Sequence, residues 1–155
     1  MFTFIHTADL HLDSPLQKLE KYEGAPVEAL RGATRRALEN LVALALERSV
    51  DFVLIAGDLF DRDWKDYNTG LFFAAQMAKL REANIPVFLI GGNHDAAGRI
   101  TKTLKFPENV RRFPVDRPDT IALDDFGAAV HGQGYAIPAI EHDLSRAYPS
   151  PLPGY

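Results

Sequence analysis

Cysteine is absent from the 155 residues. That excludes disulfides, thiolate nucleophiles and cysteine-ligated zinc or iron–sulfur sites. Long apolar runs are missing too: the longest last only a few residues, far short of a membrane span. The chain opens Met1-Phe2-Thr3-Phe4-Ile5-His6 and enters a strand pattern with no basic region or cleavage signal before it, so no secretory signal is expected. These absences fit a cytoplasmic location and no membrane partner. Positive charge is not in excess either; the formal net charge of −4 does not by itself mark a nucleic-acid binder. What is present is an apolar content of 46%, ample for the core of a single domain.

Strand and helix signals alternate, which predicts an α/β domain. Short apolar runs at Phe2 to Ile5, Phe52 to Ala56 and Pro86 to Ile90 read as strands. Between the first two, the pattern from Val27 to about Arg48 is helical, with an apolar stripe of Leu30, Ala33, Ala37, Leu41, Leu44 and Ala45. A second helix is expected from Asn68 or Thr69 to Asn84, with Leu71, Phe72, Ala75, Ala78 and Leu80 available for packing. Beyond Phe106 the candidates are short β segments at Val110 to Phe113, Thr120 to Leu123 and Ala128 to His131, then a helical stretch near Ile140 to Ala147. Pro149, Pro151 and Pro153 rule out a core strand at the end and read as a loop leading elsewhere.

Each of the first three strands is followed by a polar cluster: Asp9-Leu10-His11, Gly57-Asp58-Leu59-Phe60-Asp61 and Gly91-Gly92-Asn93-His94-Asp95. If the strands are parallel neighbours, the clusters converge on one sheet edge, where open α/β sheets bind ligands. Carboxylates, imidazole and an amide oxygen together suit a hard divalent metal. Asp9 and His11, two apart, would share one side of an extended strand end and one metal. Asp58, after a glycine that permits close backbone approach, can bridge two cations, and Asn93 can serve the second. His94 would lie near substrate and donate a proton to a leaving oxygen or steady phosphoryl charge. Asp61 and Asp95 are expected to orient these groups rather than ligate. The chemistry assigned is two-metal phosphoryl displacement.

Other polar groups have less specific readings. Arg99, Lys102, Lys105, Arg111, Arg112 and Arg117 face only Glu108 and Asp116 between Ala96 and Pro118. They form either a solvated loop and helix face or a phosphate-contacting rim beside the metals. His6 and His131 read as structural, His142 as solvent-facing. Trp64 and Tyr67 read as aromatics packed on the domain.

Phe4-Ile5-His6-Thr7-Ala8-Asp9-Leu10-His11-Leu12-Asp13-Ser14-Pro15, Ala56-Gly57-Asp58-Leu59-Phe60-Asp61 and Gly-Asn-His-Asp at 92 to 95 resemble the calcineurin-like metallophosphoesterase superfamily. Within it they look most like the SbcD-type DNA repair exonucleases, nearest the bacterial YhaO-like branch. The likeness spans essentially the whole chain, with its specific motifs in the first 95 residues. It implies a β-sandwich flanked by helices. Asp9 and His11 would hold one metal, Asp58 would bridge, Asn93 would hold the second and His94 would be the catalytic histidine. It also implies manganese, with magnesium, iron or zinc as alternatives, a DNA substrate, a homodimer, and an SMC-like ATPase of the SbcC kind as partner.

The family's later motifs, a strand-terminal His and a Gly-His-x-His turn, are absent; only His131 and His142 follow the third cluster. Residues 1–155 are therefore expected to be the N-terminal part of a longer nuclease domain, with a weak or single metal and little activity of their own. Two alternatives stay open. One is another phosphoesterase of the superfamily, acting on small phosphodiesters or phosphoproteins. The other is a degenerate, non-catalytic metal-binding or scaffold domain that recruits an ATPase.

Overall fold

The computed structural model describes residues 1–14, 26, 29–30, 32–61, 67–97 and 104–155. Arg99, Lys102 and Trp64 lie outside them, as does most of the segment from Leu12 to Pro26. Four strands, β1 (Phe4–Thr7), β2 (Phe52–Ala56), β3 (Val87–Ile90) and β4 (Val110–Arg112), form a wholly parallel sheet in the order β1-β2-β3-β4. Helices α1 (Ala33–Arg48) and α2 (Tyr67–Glu82) make the first two crossovers, and the short α3 (Asn93–Ala97) follows β3. An antiparallel pair, β5 (Asp119–Leu123) and β6 (Ala128–Gly132), forms a second sheet.

The inner strands are apolar on both faces because both faces are covered. Val53, Ile55, Val87 and Leu89 point to one side and pack with Leu38, Val42 and Ala45 of α1 and Phe73, Met77 and Leu80 of α2. Phe52 and Phe88 alternate to the other side, where Phe113, Ile121, Leu123, Phe126 and Val130 meet them. The architecture is therefore helices, a parallel sheet and a smaller β layer. Among the described residues no helix is long and apolar enough to cross a membrane.

Both helix faces differ in part from those expected: Ala45 and Leu80 are buried and Leu41 and Phe72 pack against the core as expected, while other positions do not. In α1 the buried side is Leu38, Val42 and Ala45, while Ala37 and Leu44 are exposed, as is Leu30 ahead of the helix. The helix carries two apolar stripes, and the one with Leu38 and Val42 removes more apolar area from water than the alanine-rich one. In α2, Phe73, Met77 and Leu80 face the core, whereas Leu71 and Ala75 are exposed. The first strand also starts later than expected, at Phe4, and His6 lies exposed within it on the edge of the sheet. His131 pairs across the hairpin with the Thr120 hydroxyl at 2.7 Å, a structural role as expected.

Candidate metal centre

Because β1, β2 and β3 are parallel neighbours, the segments leaving their carboxyl ends run side by side. The chain from Asp9 to Leu12 follows the chain from Gly57 to Phe60: Asp9 N–H donates to Gly57 O at 3.1 Å, His11 N–H to Asp58 O at 2.9 Å and Leu12 N–H to Leu59 O at 2.9 Å. Leu12 and Phe60, both fully buried, form a parallel bridge that anchors the pair.

The backbone here is not the extended strand end expected for Asp9 and His11. Asp9, His11, Asp13 and Asp58 all have positive φ, at 54°, 41°, 53° and 50°. Asp and His tolerate the left-handed region better than most residues, yet each such residue costs about 1–2 kcal/mol.

Glycines allow the third loop to close in. At Gly57, φ is 91° and an added Cβ would stand 3.0 Å from Gly92 Cα. At Gly92 it would stand 2.2 Å from Asp58 Oδ1. Asp95 then ties the loops together, accepting N–H groups from Leu59 and Phe60 at 3.1 Å each and from Gly92 at 2.9 Å. Burial pushes its carboxyl above the ordinary range against those three bonds, and the nearby Asp58 charge adds to the rise. Its oxygens serve the loops rather than His94.

Two groups of donors result. His11 Nε2 lies 3.9 Å from Asp9 Oδ1 and 3.9 Å from Asp58 Oδ2. Asp61 Oδ1 lies 3.1 Å from His11 Nδ1 and 2.7 Å from His94 Nδ1. Within each trio, Asp9–His11–Asp58 and His11–Asp61–His94, the donor atoms are within 4.8 Å of one another. The first spacing suits one divalent cation with metal–ligand bonds of about 2.0–2.2 Å. The oxygen-rich, thiol-free set suits a hard or borderline ion. A cation would also relieve the repulsion among closely placed carboxylates.

Asp61 is held as an acceptor. Burial would raise its pKa, but hydrogen bonds from Ser14, His94 and His11 outweigh that and hold the carboxyl below the ordinary range. Asn93 is half-buried at the start of α3, and the next residue's N–H donates to Asp58 Oδ1 at 3.0 Å. The Asn93 amide makes no hydrogen bond to another described residue.

Among the described residues, the basic stretch does not gather on one rim. Arg112, at the carboxyl end of β4, lines a cleft of about 480 Å³ with Asp95, Ala96 and Tyr135. Arg111 turns the other way, into a cleft with Asp51, Asn84 and Pro86 at the amino ends of β2 and β3. Neighbouring residues of a strand face opposite sides, so a run of charges in sequence becomes two surfaces. Lys105 is exposed ahead of β4. Sequence reasoning assigned no role to Ser14, whose hydroxyl donates to Asp61 Oδ2. Nor did it foresee Asp13, which takes Arg35 in a two-pronged pair and the Thr69 hydroxyl. Their signal was only their place in the turn after His11.

Among known proteins, the uncharacterised metallophosphoesterase YhaO of Bacillus subtilis is 34% identical over 149 residues, 94% of this chain and 36% of YhaO. The DNA double-strand break repair protein Mre11 of Archaeoglobus fulgidus is 38% identical over 96 residues, 62% of this chain and 20% of that protein. The chain thus spans about a third or less of the length of these relatives. A dimetal phosphatase from Danio rerio aligns over 63% of this chain and 31% of its own at 22% identity, with a TM-score of 0.42. The model of the calcineurin-like phosphoesterase family matches residues 2–147, and the chain, with its candidate metal ligands at the strand ends, belongs to that family.

Proposed function

We propose that this chain is the metal-binding part of a DNA phosphodiesterase, an exonuclease or endonuclease of the SbcD type, working with manganese at a two-metal site. The observation that carries the reading is the convergence of Asp9, His11, Asp58, Asp61 and His94 from three loops within hydrogen-bonding or metal-ligating reach. The Mre11 similarity supports DNA as the substrate.

Asp9, His11 and Asp58 would hold one cation, and Asp58 with Asn93 would begin a second position, further donors coming from a longer protein. Cations there would offset the charge of a phosphodiester and lower the pKa of water. The chain's own groups do the rest. Asp61 accepts from His11 Nδ1, which leaves Nε2 to face Asp9 and Asp58. The same oxygen engages His94 Nδ1, so His94 Nε2 is the atom left to pass a proton to the leaving oxygen. Asp61 stabilises the imidazolium form that this requires. With so few donors for the second position, residues 1–155 alone are expected to hold metal weakly, about one cation, and to show little or no cleavage. A homodimer and an SMC-like ATPase partner belong to the same proposal for the whole protein.

The test uses the full-length polypeptide with manganese, end-labelled DNA and a small chromogenic diester. DNA should be cut, with the rate lowered about 10²–10⁴-fold in His94→Ala. Cleavage of the small diester alone would replace the nuclease with another phosphoesterase. Inertness toward both, with DNA or partner binding that survives EDTA, would leave a scaffold domain.

A further inference from the structure

Asp61 has two oxygens, and the two imidazoles use only one. His11 Nδ1 and His94 Nδ1 both approach Oδ1, at 3.1 Å and 2.7 Å, with their rings edge-to-face at 87°. The other oxygen, Oδ2, accepts the Ser14 hydroxyl. A carboxylate rotates readily about its terminal torsion, which is broad and two-fold, so without a partner on Oδ2 either oxygen could serve either ring.

Ser14 is itself fixed by its surroundings. Its N–H closes a turn onto His11 O at 3.0 Å. The preceding Asp13 donates its N–H to Thr34 Oγ1 at 3.1 Å and places its carboxylate against Arg35 and Thr69. The turn is therefore pinned to both α1 and α2. The Arg35 guanidinium lies 4.7 Å from the Phe72 ring centroid, which joins the two helices at this point.

The geometry points to Ser14 as a positioning residue that acts through Asp61 on both histidines, an inference that rests on the phosphodiesterase reading above. Its hydroxyl occupies Oδ2, so Oδ1 alone faces the rings. Both rings then carry their proton on Nδ1, one offering Nε2 to the metal and the other to the substrate. Ser14 touches neither.

The experiment compares Ser14→Ala, Ser14→Thr and Asp61→Asn with the wild type in the full-length protein. It reads kcat and KM, manganese affinity by calorimetry, and the histidine ring N–H signals in ¹⁵N-correlated spectra. Ser14→Ala should lower kcat and manganese affinity by about 10–100-fold, the range for removing a group that orients a metal ligand. KM should hold within about two-fold, and the Nδ1–H signals of His11 and His94 should broaden or vanish. Ser14→Thr, which keeps the hydroxyl, should recover most of both.

Unchanged kcat, affinity and ring signals in Ser14→Ala would overturn the inference. So would a loss that merely tracks the unfolded fraction seen by circular dichroism, or a folded Ser14→Thr that recovers nothing. If Ser14→Ala does not fold, wild-type spectra decide: Nε2–H tautomers at both histidines overturn it, and Nδ1–H signals together with a functional Ser14→Thr uphold it. Inertness of the wild type toward both DNA and the small diester would instead bring down the phosphodiesterase reading, while the calorimetry and spectra still judge Ser14.

Discussion

Glycine 92 shows how little room the centre leaves. Its Cα faces the Asp58 carboxylate so closely that a methyl group would stand 2.2 Å from Oδ1 and 2.5 Å from the Asp58 backbone nitrogen. The carboxylate in question is at once a donor beside His11 and the acceptor of the His94 N–H. Gly92→Ala should therefore push Asp58 out of register, cost about 1–3 kcal/mol as overpacking does, and weaken manganese binding by at least tenfold. Urea denaturation with and without metal checks both parts; unchanged metal affinity would mean that Asp58 is not a ligand. Glycine was legible as a turn former from its doubled occurrence before Asn93. Which atom it had to avoid was not, because that atom lies 34 positions earlier in the chain.

At the scale of elements, the Asp13 cluster joins the loop after β1 to both helices. Burial would raise the Asp13 pKa, but the Arg35 and Thr69 hydrogen bonds and the Arg35 charge outweigh it and hold the carboxyl below its ordinary range. A folded-state pKa below the unfolded one means stabilisation that is complete above about pH 4 and fades as the pH falls through the folded value. Asp13→Asn should accordingly unfold more easily than wild type at pH 6, with the gap narrowing toward pH 3. A gap that stays constant over that range would deny the ion pair its stabilising role. The strands themselves were legible because a parallel strand covered on both faces must be a short, continuous apolar run. The helix faces were less so, since α1 offers two apolar stripes and the sheet accepts the bulkier.

For the whole molecule, metal and fold should be linked. The proposed ligands come from three separate loops and meet only when the parallel sheet has formed, so a cation held by them would bind the native state and not the unfolded chain. At a free concentration about 100 times Kd, manganese should add about 2.7 kcal/mol of stability. For a chain of this size that raises Tm by about 5–10 °C. Differential scanning calorimetry with manganese and then EDTA measures it, and His11→Ala should abolish the gain. An equal gain in His11→Ala would place the cation elsewhere. The second core cluster is thinner than the first, with a two-stranded layer over Phe52 and Phe88 and Phe4 left 45% exposed at the sheet edge.

Sequence alone determined the alternation of strands and helices and the kind of chemistry the strand ends could hold. Both follow from local composition: apolar runs of strand length, and donor-bearing residues at their ends. Tertiary structure alone decided how those donors meet. It set the left-handed backbone at Asp9, His11 and Asp58, the single Asp61 oxygen shared by two histidines, the Ser14 hydroxyl on the other, and the split of Arg111 from Arg112. The Asp61 contacts join residues 33, 47 and 50 positions apart. Strand register and the path of the loops fix such contacts, and no local propensity encodes either.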